Sequence, residues 1–183
     1  EHSQVTFWIY IVLFTLGTAV GSFLNVMSLR FNPEEDKLWK NVYGRSHCPH
    51  CGKTLNWYEL VPFFSFLIQL GKCRSCGAKL TLQYPIIEFL SGLIFVAVFY
   101  ALLPNSIVLG IPYVTIIIWI LVLLSLLLMS IIDFHHRIIP DNINFFIMAL
   151  GAILIVYRYL IPVSPSVGGY SYLGHYALLF PFT

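Results

Sequence analysis

The sequence predicts an all-α polytopic membrane protein with a small polar domain, containing four cysteines, between its first two membrane spans. Of the 183 residues, 58% are apolar and only 10% are charged, whereas soluble domains carry about 25% charged residues. Runs of about 20 apolar residues, the length that crosses a hydrocarbon core of roughly 30 Å, recur along the chain. Lipid is therefore the predicted environment of most of the protein.

Four apolar runs are predicted to span the membrane, within residues 1–29, 84–103, 111–133 and 138–160. A further apolar segment at 172–183 is too short to cross, and we expect it to be the start of a truncated further span. The chain is thus predicted to be a multi-pass protein whose main contact is the lipid bilayer.

Residues 30–83 differ in kind from the apolar runs. They contain eight of the ten basic residues, four acidic residues and all four cysteines. By the positive-inside rule, this excess of Lys and Arg places the domain in the cytoplasm. The basic residues do not form a stripe that could follow a phosphate backbone, so nucleic acid is not an expected partner.

The four cysteines form two CxxC pairs, which are Cys48 with Cys51 and Cys73 with Cys76. In each pair, one tight turn can direct both thiols at one ion, and the glycine that follows permits such a turn. Four thiolates complete a closed tetrahedral shell, which is typical of structural zinc. The sequence therefore predicts a cytoplasmic zinc-binding domain whose ion supports folding and performs no hydrolysis.

Two disulfides or four unlinked thiols are the alternative to a metal site, and a cytoplasmic location disfavours disulfides. His47 and His50 flank the first pair and could replace a cysteine as ligands. Four cysteines make that substitution unnecessary, so we expect cysteine ligands only.

After Glu59, the chain has three acidic residues, Glu88, Asp133 and Asp141, and all lie within or at the edge of apolar runs. A carboxylate at membrane depth is costly and is a functional candidate for that reason. Asp133, at the end of the third predicted span, is the strongest candidate. The alternatives are an ion pair at the interface for Asp133, packing for Glu88 and helix capping for Asp141. Aspartyl chemistry needs two carboxylates that share a water, and spacing alone does not pair Asp133 with Asp141.

Six short motifs follow one another between about residues 17 and 142. They are Gly21-Ser-Phe-Leu-Asn25-Val, Ser46-His-Cys48-Pro-His-Cys51, Leu60-Val-Pro62-Phe-Phe-Ser65, Gly71-Lys-Cys73-Arg-Ser-Cys76, Tyr84-Pro85-Ile-Ile-Glu88, and Asp133 through Ile139-Pro140-Asp141. In order and separation they resemble the motifs of the bacterial prepilin peptidases, the type IV prepilin leader peptidase and N-methyltransferase family of membrane aspartyl proteases.

The resemblance implies that the protein cleaves the leader peptide of type IV prepilins and type II secretion pseudopilins, its partners, at the cytoplasmic side of the bacterial inner membrane. It implies that Asp133 is the first catalytic aspartate. The family also methylates the new N-terminus with S-adenosylmethionine, and the resemblance makes Glu88 and Asn25 candidates for methyltransferase or substrate contacts.

One family feature is missing from the chain. The second catalytic aspartate of the family lies in a Gly-x-Gly-Asp motif in a later span, and no acidic residue follows Asp141. We therefore expect a truncated chain, or else a fragment that is inactive as written. The alternative function is a non-enzymatic membrane scaffold whose zinc domain recruits a cytoplasmic partner. A transporter is a third class, but it predicts acids at mid-span depth.

Overall fold

The computed structural model describes residues 2–31, 44–48, 50–109 and 113–160. These residues form five α-helices, which are α1 His2–Leu29, α2 Phe64–Ile68, α3 Gln83–Leu109, α4 Tyr113–His136 and α5 Asp141–Leu160. No β-strand occurs in these ranges, only two isolated bridges in the loop between α1 and α3. The predicted helical class is thus confirmed, whereas the expected segment at 172–183 lies outside the described residues.

Three stretches of helix are long and apolar enough to cross a membrane, namely Gln4–Leu29, Gln83–Leu102 and Tyr113–His136. The apolar part of α5, Asp141–Tyr157, is shorter, so a fourth crossing stays a prediction. α5 begins at Asp141 rather than at residue 138, because the ring of Pro140 disfavours the helical conformation of the residue before it.

α1 and α3 pack against each other through small residues. Gly17 and Gly21 lie four residues apart on α1 and face Ser91 and Gly92 on α3. A Cβ atom on Gly17 would lie 2.8 Å from the Cα atom of Gly92, so the two backbones are in contact. The Ser91 hydroxyl donates a hydrogen bond across this contact to the Gly17 carbonyl, at 2.7 Å. Small residues let helices approach closely in a membrane, where van der Waals packing replaces the hydrophobic effect as the main attraction.

α4 packs against α3 and α5 and also contacts α1. The buried apolar residues at these contacts come from all four long helices and include Leu24, Met27, Phe95, Val98, Ile116, Ile120, Leu124, Leu128, Ile132 and Ile143. The ring of Phe31, just after α1, meets the ring of His136 at the end of α4, with centroids 5.6 Å apart. The C-terminal ends of α1 and α4 therefore lie together, at the end of the bundle from which the cysteine-containing loop emerges.

Replacing Gly21 by alanine is expected to destabilise the α1–α3 contact, because the new Cβ would overlap the Ser91 hydroxyl and lie 2.9 Å from the Cα atom of Glu88. Overpacking of this kind costs about 1–3 kcal/mol. Denaturant unfolding in mixed micelles, followed by circular dichroism, measures the loss. Gly151→Ala on α5 is the matched control, since no atom from elsewhere in the described residues, outside its own helical turn, lies within 4 Å of a Cβ there. Equal stability of the two variants would contradict this account of the packing.

Candidate functional site

The four cysteines come together at one point in the loop between α1 and α3. The sulfur atoms of Cys48, Cys51, Cys73 and Cys76 all lie within 4.8 Å of one another. All four are free thiols, and the first cysteine of each pair is buried while the second is exposed. The structure thus brings the two CxxC pairs into one cluster and does not join them as disulfides.

Both CxxC pairs lie in the same kind of backbone turn. The N–H of Gly52 donates to the Cys48 carbonyl, and the N–H of Gly77 donates to the Cys73 carbonyl, each at 2.9 Å. The two glycines have φ angles of 68° and 69°, in the left-handed region that glycine reaches without strain. Each turn is closed by a hydrogen bond between the first cysteine and the glycine that follows its own pair. The cluster therefore forms once the two turns face each other.

Electrostatics distinguish the thiols of the cluster. The backbone N–H groups of Cys76 and Ser75 point at the Cys73 sulfur and lower the pKa of that thiol to about 6. Although the N–H of Ala78 acts to lower the pKa of Cys76, desolvation and the three neighbouring thiols raise it to about 11. The cluster therefore favours the thiolate at Cys73 and the protonated thiol at Cys76. A bound cation would take the place of the Cys76 proton.

The arrangement of sulfurs fits a tetrahedral ion. Zinc–sulfur bonds of about 2.3 Å place the four sulfurs of a tetrahedron about 3.8 Å apart, and the Sγ atoms of Cys48 and Cys76 are 3.9 Å apart. His47 and His50 lie outside the cluster of ligand atoms. Because four thiolates close the shell, an ion held there would join the two turns and would leave no open position for a substrate.

Asp133 lies in the last turn of α4, and its side chain is exposed. Just beyond the helix, Arg137 has a φ of 55°, and its N–H donates to the Asp133 carbonyl at 2.7 Å. Asp141 opens α5, directly after the buried Pro140. Within the described part of the chain, neither carboxylate has a hydrogen bond or an ion pair. The ion pair that was the alternative for Asp133 is therefore not formed, and no hydrogen bond links Asp133 to Asp141.

Asn25 and Glu88 are buried between α1 and α3, where they are 1% and 6% exposed. The Asn25 amide donates to the Tyr84 carbonyl at 3.2 Å. The Glu88 carboxylate accepts the N–H of Phe63 at 2.6 Å and also the Ser22 hydroxyl. Contacts of these two side chains with a methyl donor or a substrate stay a prediction. The Asn25 bond joins α1 to α3, and the bond from Phe63 to Glu88 joins the cysteine-containing loop to α3.

Sequence reasoning missed the partners in this arrangement. Phe63 takes part through its backbone N–H, which every non-proline residue has, so its identity carries no signal. Ser91 could have been found from the sequence. Gly17 and Gly21 have the four-residue spacing that marks close helix contacts, and Ser91 is a small residue of the kind that lies opposite such a pair.

A turn around Glu59 fixes the start of the segment between the two cysteine pairs. The buried Glu59 carboxylate accepts the backbone N–H of Asn56 at 2.8 Å and its side-chain amide at 3.2 Å. The backbone bond is the main reason that the pKa of Glu59 is lowered. The Arg74 guanidinium lies 5.5 Å from the centre of the Tyr58 ring. This contact joins the turn to the second cysteine pair.

Comparisons with known proteins agree with the motifs. Residues 15–102 match the family described as Bacterial Peptidase A24 N-terminal domain, and residues 120–182 match the Type IV leader peptidase family. A prepilin leader peptidase/N-methyltransferase of Myxococcus xanthus is 39% identical to this chain over 137 residues, which are 71% of the chain and 35% of the relative.

Relatives with the same name in Klebsiella pneumoniae and Aeromonas hydrophila are 31% and 32% identical, over 86% and 75% of this chain. The alignments cover 66% and 52% of those two proteins. The chain thus spans less than two thirds of the length of these three relatives. No solved structure shows a significant match.

Replacing Cys73 by serine is expected to lower the bound zinc from about one ion per chain to near zero, because three thiolates leave the shell open. Inductively coupled plasma mass spectrometry after a chelator wash measures the ion content. His50→Ala is the matched control, since His50 adjoins the first pair but lies outside the cluster. A stoichiometric ion in the Cys73→Ser protein would disprove the ligand set.

Proposed function

Because the chain belongs to the bacterial prepilin peptidase family, we propose that it supplies Asp133 and the cysteine domain of a membrane aspartyl endopeptidase that cleaves leader peptides from type IV prepilins and pseudopilins. The observation that carries the proposal is the exposure of the Asp133 side chain. Its carboxylate is exposed at the loop end of the bundle and has no partner among the described residues. A carboxylate without an internal role is available to a substrate.

The proposed cleavage needs two carboxylates with different protonation states. The ionised one takes a proton from water as the water attacks the scissile carbonyl carbon, and the protonated one donates a hydrogen bond to the carbonyl oxygen. Asp133 supplies one of them. Glu59 and Glu88 are buried and bonded to backbone N–H groups, and Asp141 lies at a helix start, where the dipole stabilises its charge. We therefore assign the second role to the aspartate of the family's Gly-x-Gly-Asp motif.

The proposed site of action is the cytoplasmic face of the bacterial inner membrane. Eight of the ten basic residues lie in residues 30–83, and this excess favours a cytoplasmic location. The contact between Phe31 and His136 brings the end of α4, and with it Asp133, to the same end of the bundle. A substrate would then approach Asp133 from the inner leaflet.

Zinc is the ion that we propose for the cysteine cluster, where it would add folding free energy and take no part in bond cleavage. N-methylation of the new N-terminus is proposed from the names of the relatives. Asn25 and Glu88 are the residues that we propose for contacts with the methyl donor or the substrate, since both are polar side chains held between two candidate spans.

Replacing Asp133 by asparagine in the complete reading frame is expected to reduce leader cleavage by roughly three orders of magnitude or more, the scale on which enzymes lose activity when one of their paired catalytic groups is removed. Release of the leader from a prepilin peptide in detergent measures the rate. Asp141→Asn is the matched control and should keep cleavage, since asparagine also suits a helix start.

Zinc content should be unchanged in both variants, which shows that the cysteine domain is still folded. Cleavage that persists in the Asp133→Asn protein would refute the aspartyl assignment. If the folded, zinc-loaded wild-type protein cleaves no prepilin, a non-enzymatic scaffold becomes the better account of the cysteine domain.

A further inference from the structure

The segment Leu60–Leu70 is an apolar run inside an otherwise polar loop. No charged residue lies between Glu59 and Lys72. None of the side chains in the helix α2 part of the segment is buried. The large apolar residues that are exposed by 36% to 84% are Leu60, Val61, Phe64, Leu67, Ile68 and Leu70. Contiguous apolar surface of this kind marks a surface that is covered by something other than water.

Contacts with the long helices place this segment beside the membrane spans. The ring of Phe63 lies 6.2 Å from the ring of Phe89 on α3, and Phe89 lies 5.7 Å from Phe14 on α1. Asn25 meets Tyr84 near the start of α3, which marks the loop end of both helices. At 1.5 Å per residue, Phe89 lies about 8 Å and Phe14 about 16 Å further along their helices from that level. One leaflet of hydrocarbon is about 15 Å thick, so the contact of Phe63 with Phe89 lies about halfway into a leaflet.

An open groove of about 300 Å³ lies between the segment and α1. Pro62, Phe63 and Phe64 form one wall, and the Phe7–Thr18 face of α1 forms the other. That face belongs to the candidate span Gln4–Leu29. The exposed surface of the segment is therefore continuous with a surface that already faces lipid.

From Phe63 onward, most backbone N–H groups of the segment have a hydrogen-bond acceptor. The N–H groups of Phe64, Ser65, Leu67, Gln69, Leu70 and Gly71 all donate to carbonyls between Val61 and Leu67. The N–H of Phe63, at a φ of 60°, donates to the Glu88 carboxylate instead. Hydrocarbon tolerates a peptide segment only when its polar backbone groups are paired in this way. A loop in water has no such requirement.

The two ends of the segment carry the side chains expected at a membrane surface. Tyr58 and Arg74 stack on each other beside its start, and Lys72 follows its end. Aromatic and basic residues favour the level of the lipid headgroups. Both ends of the segment thus suit the interface from which it would enter.

We propose that Leu60–Leu70 is a re-entrant segment that dips into the inner leaflet beside α1 and α3 and is covered by lipid acyl chains, with Glu88 on α3 holding it there through the Phe63 N–H. Its exposed apolar side chains then face acyl chains, and the groove beside α1 takes up part of a lipid tail. The cysteine cluster is consequently held close to the membrane surface. This proposal does not depend on the peptidase assignment.

The test uses the full-length protein in phosphatidylcholine–phosphatidylglycerol vesicles that contain a phosphatidylcholine with a diazirine in the middle of its acyl chain. After irradiation, trypsin releases the segment within the single peptide 54–72, between Lys53 and Lys72, and the first cysteine pair within 46–53. We expect acyl adducts on 54–72 at several times the level on 46–53. The peptide 80–137, which contains two spans, is the positive reference.

The proposal would be overturned if peptide 54–72 carried no more acyl adducts than peptide 46–53 while peptide 80–137 was labelled. The segment would then lie in water or against protein. The role of Glu88 is tested by Glu88→Ala, which removes the acceptor, against Glu88→Gln, which keeps a carbonyl oxygen.

We expect the adducts on 54–72 to fall several-fold in Glu88→Ala and to stay near the wild-type level in Glu88→Gln. Bound zinc, measured in the same samples, reports that the cysteine cluster remains intact. Unchanged labelling in Glu88→Ala would show that the carboxylate does not hold the segment.

Discussion

The close packing of α1 on α3 is the constraint on which the rest of the structure depends. The backbones meet where Gly17 faces Gly92, and Ser91 can reach the Gly17 carbonyl only because the helices are this close. The same approach lets Asn25 on α1 bond to the start of α3. Because these two helices flank the cysteine-containing loop in sequence, their contact also fixes the separation of the loop's ends. Without this helix contact, the two ends of the loop would not be held at a fixed distance.

The loop has little apolar interior, so it is held by a few specific contacts instead. At one end, two equivalent turns bring four sulfurs within 4.8 Å of one another, where an ion would substitute for a hydrophobic core. At the other end, Glu88 bonds to the Phe63 N–H from within α3. Phe63 lies within the run of exposed apolar residues Leu60–Leu70. Proximity to lipid explains why a polar domain can keep such a run without aggregating.

The carboxylates of the described region fall into two groups with different physical roles. Glu59 and Glu88 are buried and accept backbone N–H groups at 2.8 and 2.6 Å. An enclosed carboxylate needs such donors, because removal from water is otherwise too costly. Asp133 and Asp141 are exposed and make no such bonds within the same region. Glu59 and Glu88 therefore stabilise the fold. Of the two exposed carboxylates, Asp141 opens α5, and Asp133 carries the functional proposal.

The sequence by itself determined the features that depend on local pattern or on the solvent. Bilayer thickness sets the length of an apolar helix, and a CxxC spacing followed by glycine encodes its own turn, so the long helices and the two cysteine turns could be predicted. Only the tertiary structure decided which distant groups meet. It brought the two cysteine pairs together, enclosed Asn25 and Glu88 and left Asp133 exposed. These outcomes depend on helix packing and on a backbone N–H at Phe63, and a backbone group is the same in nearly every residue.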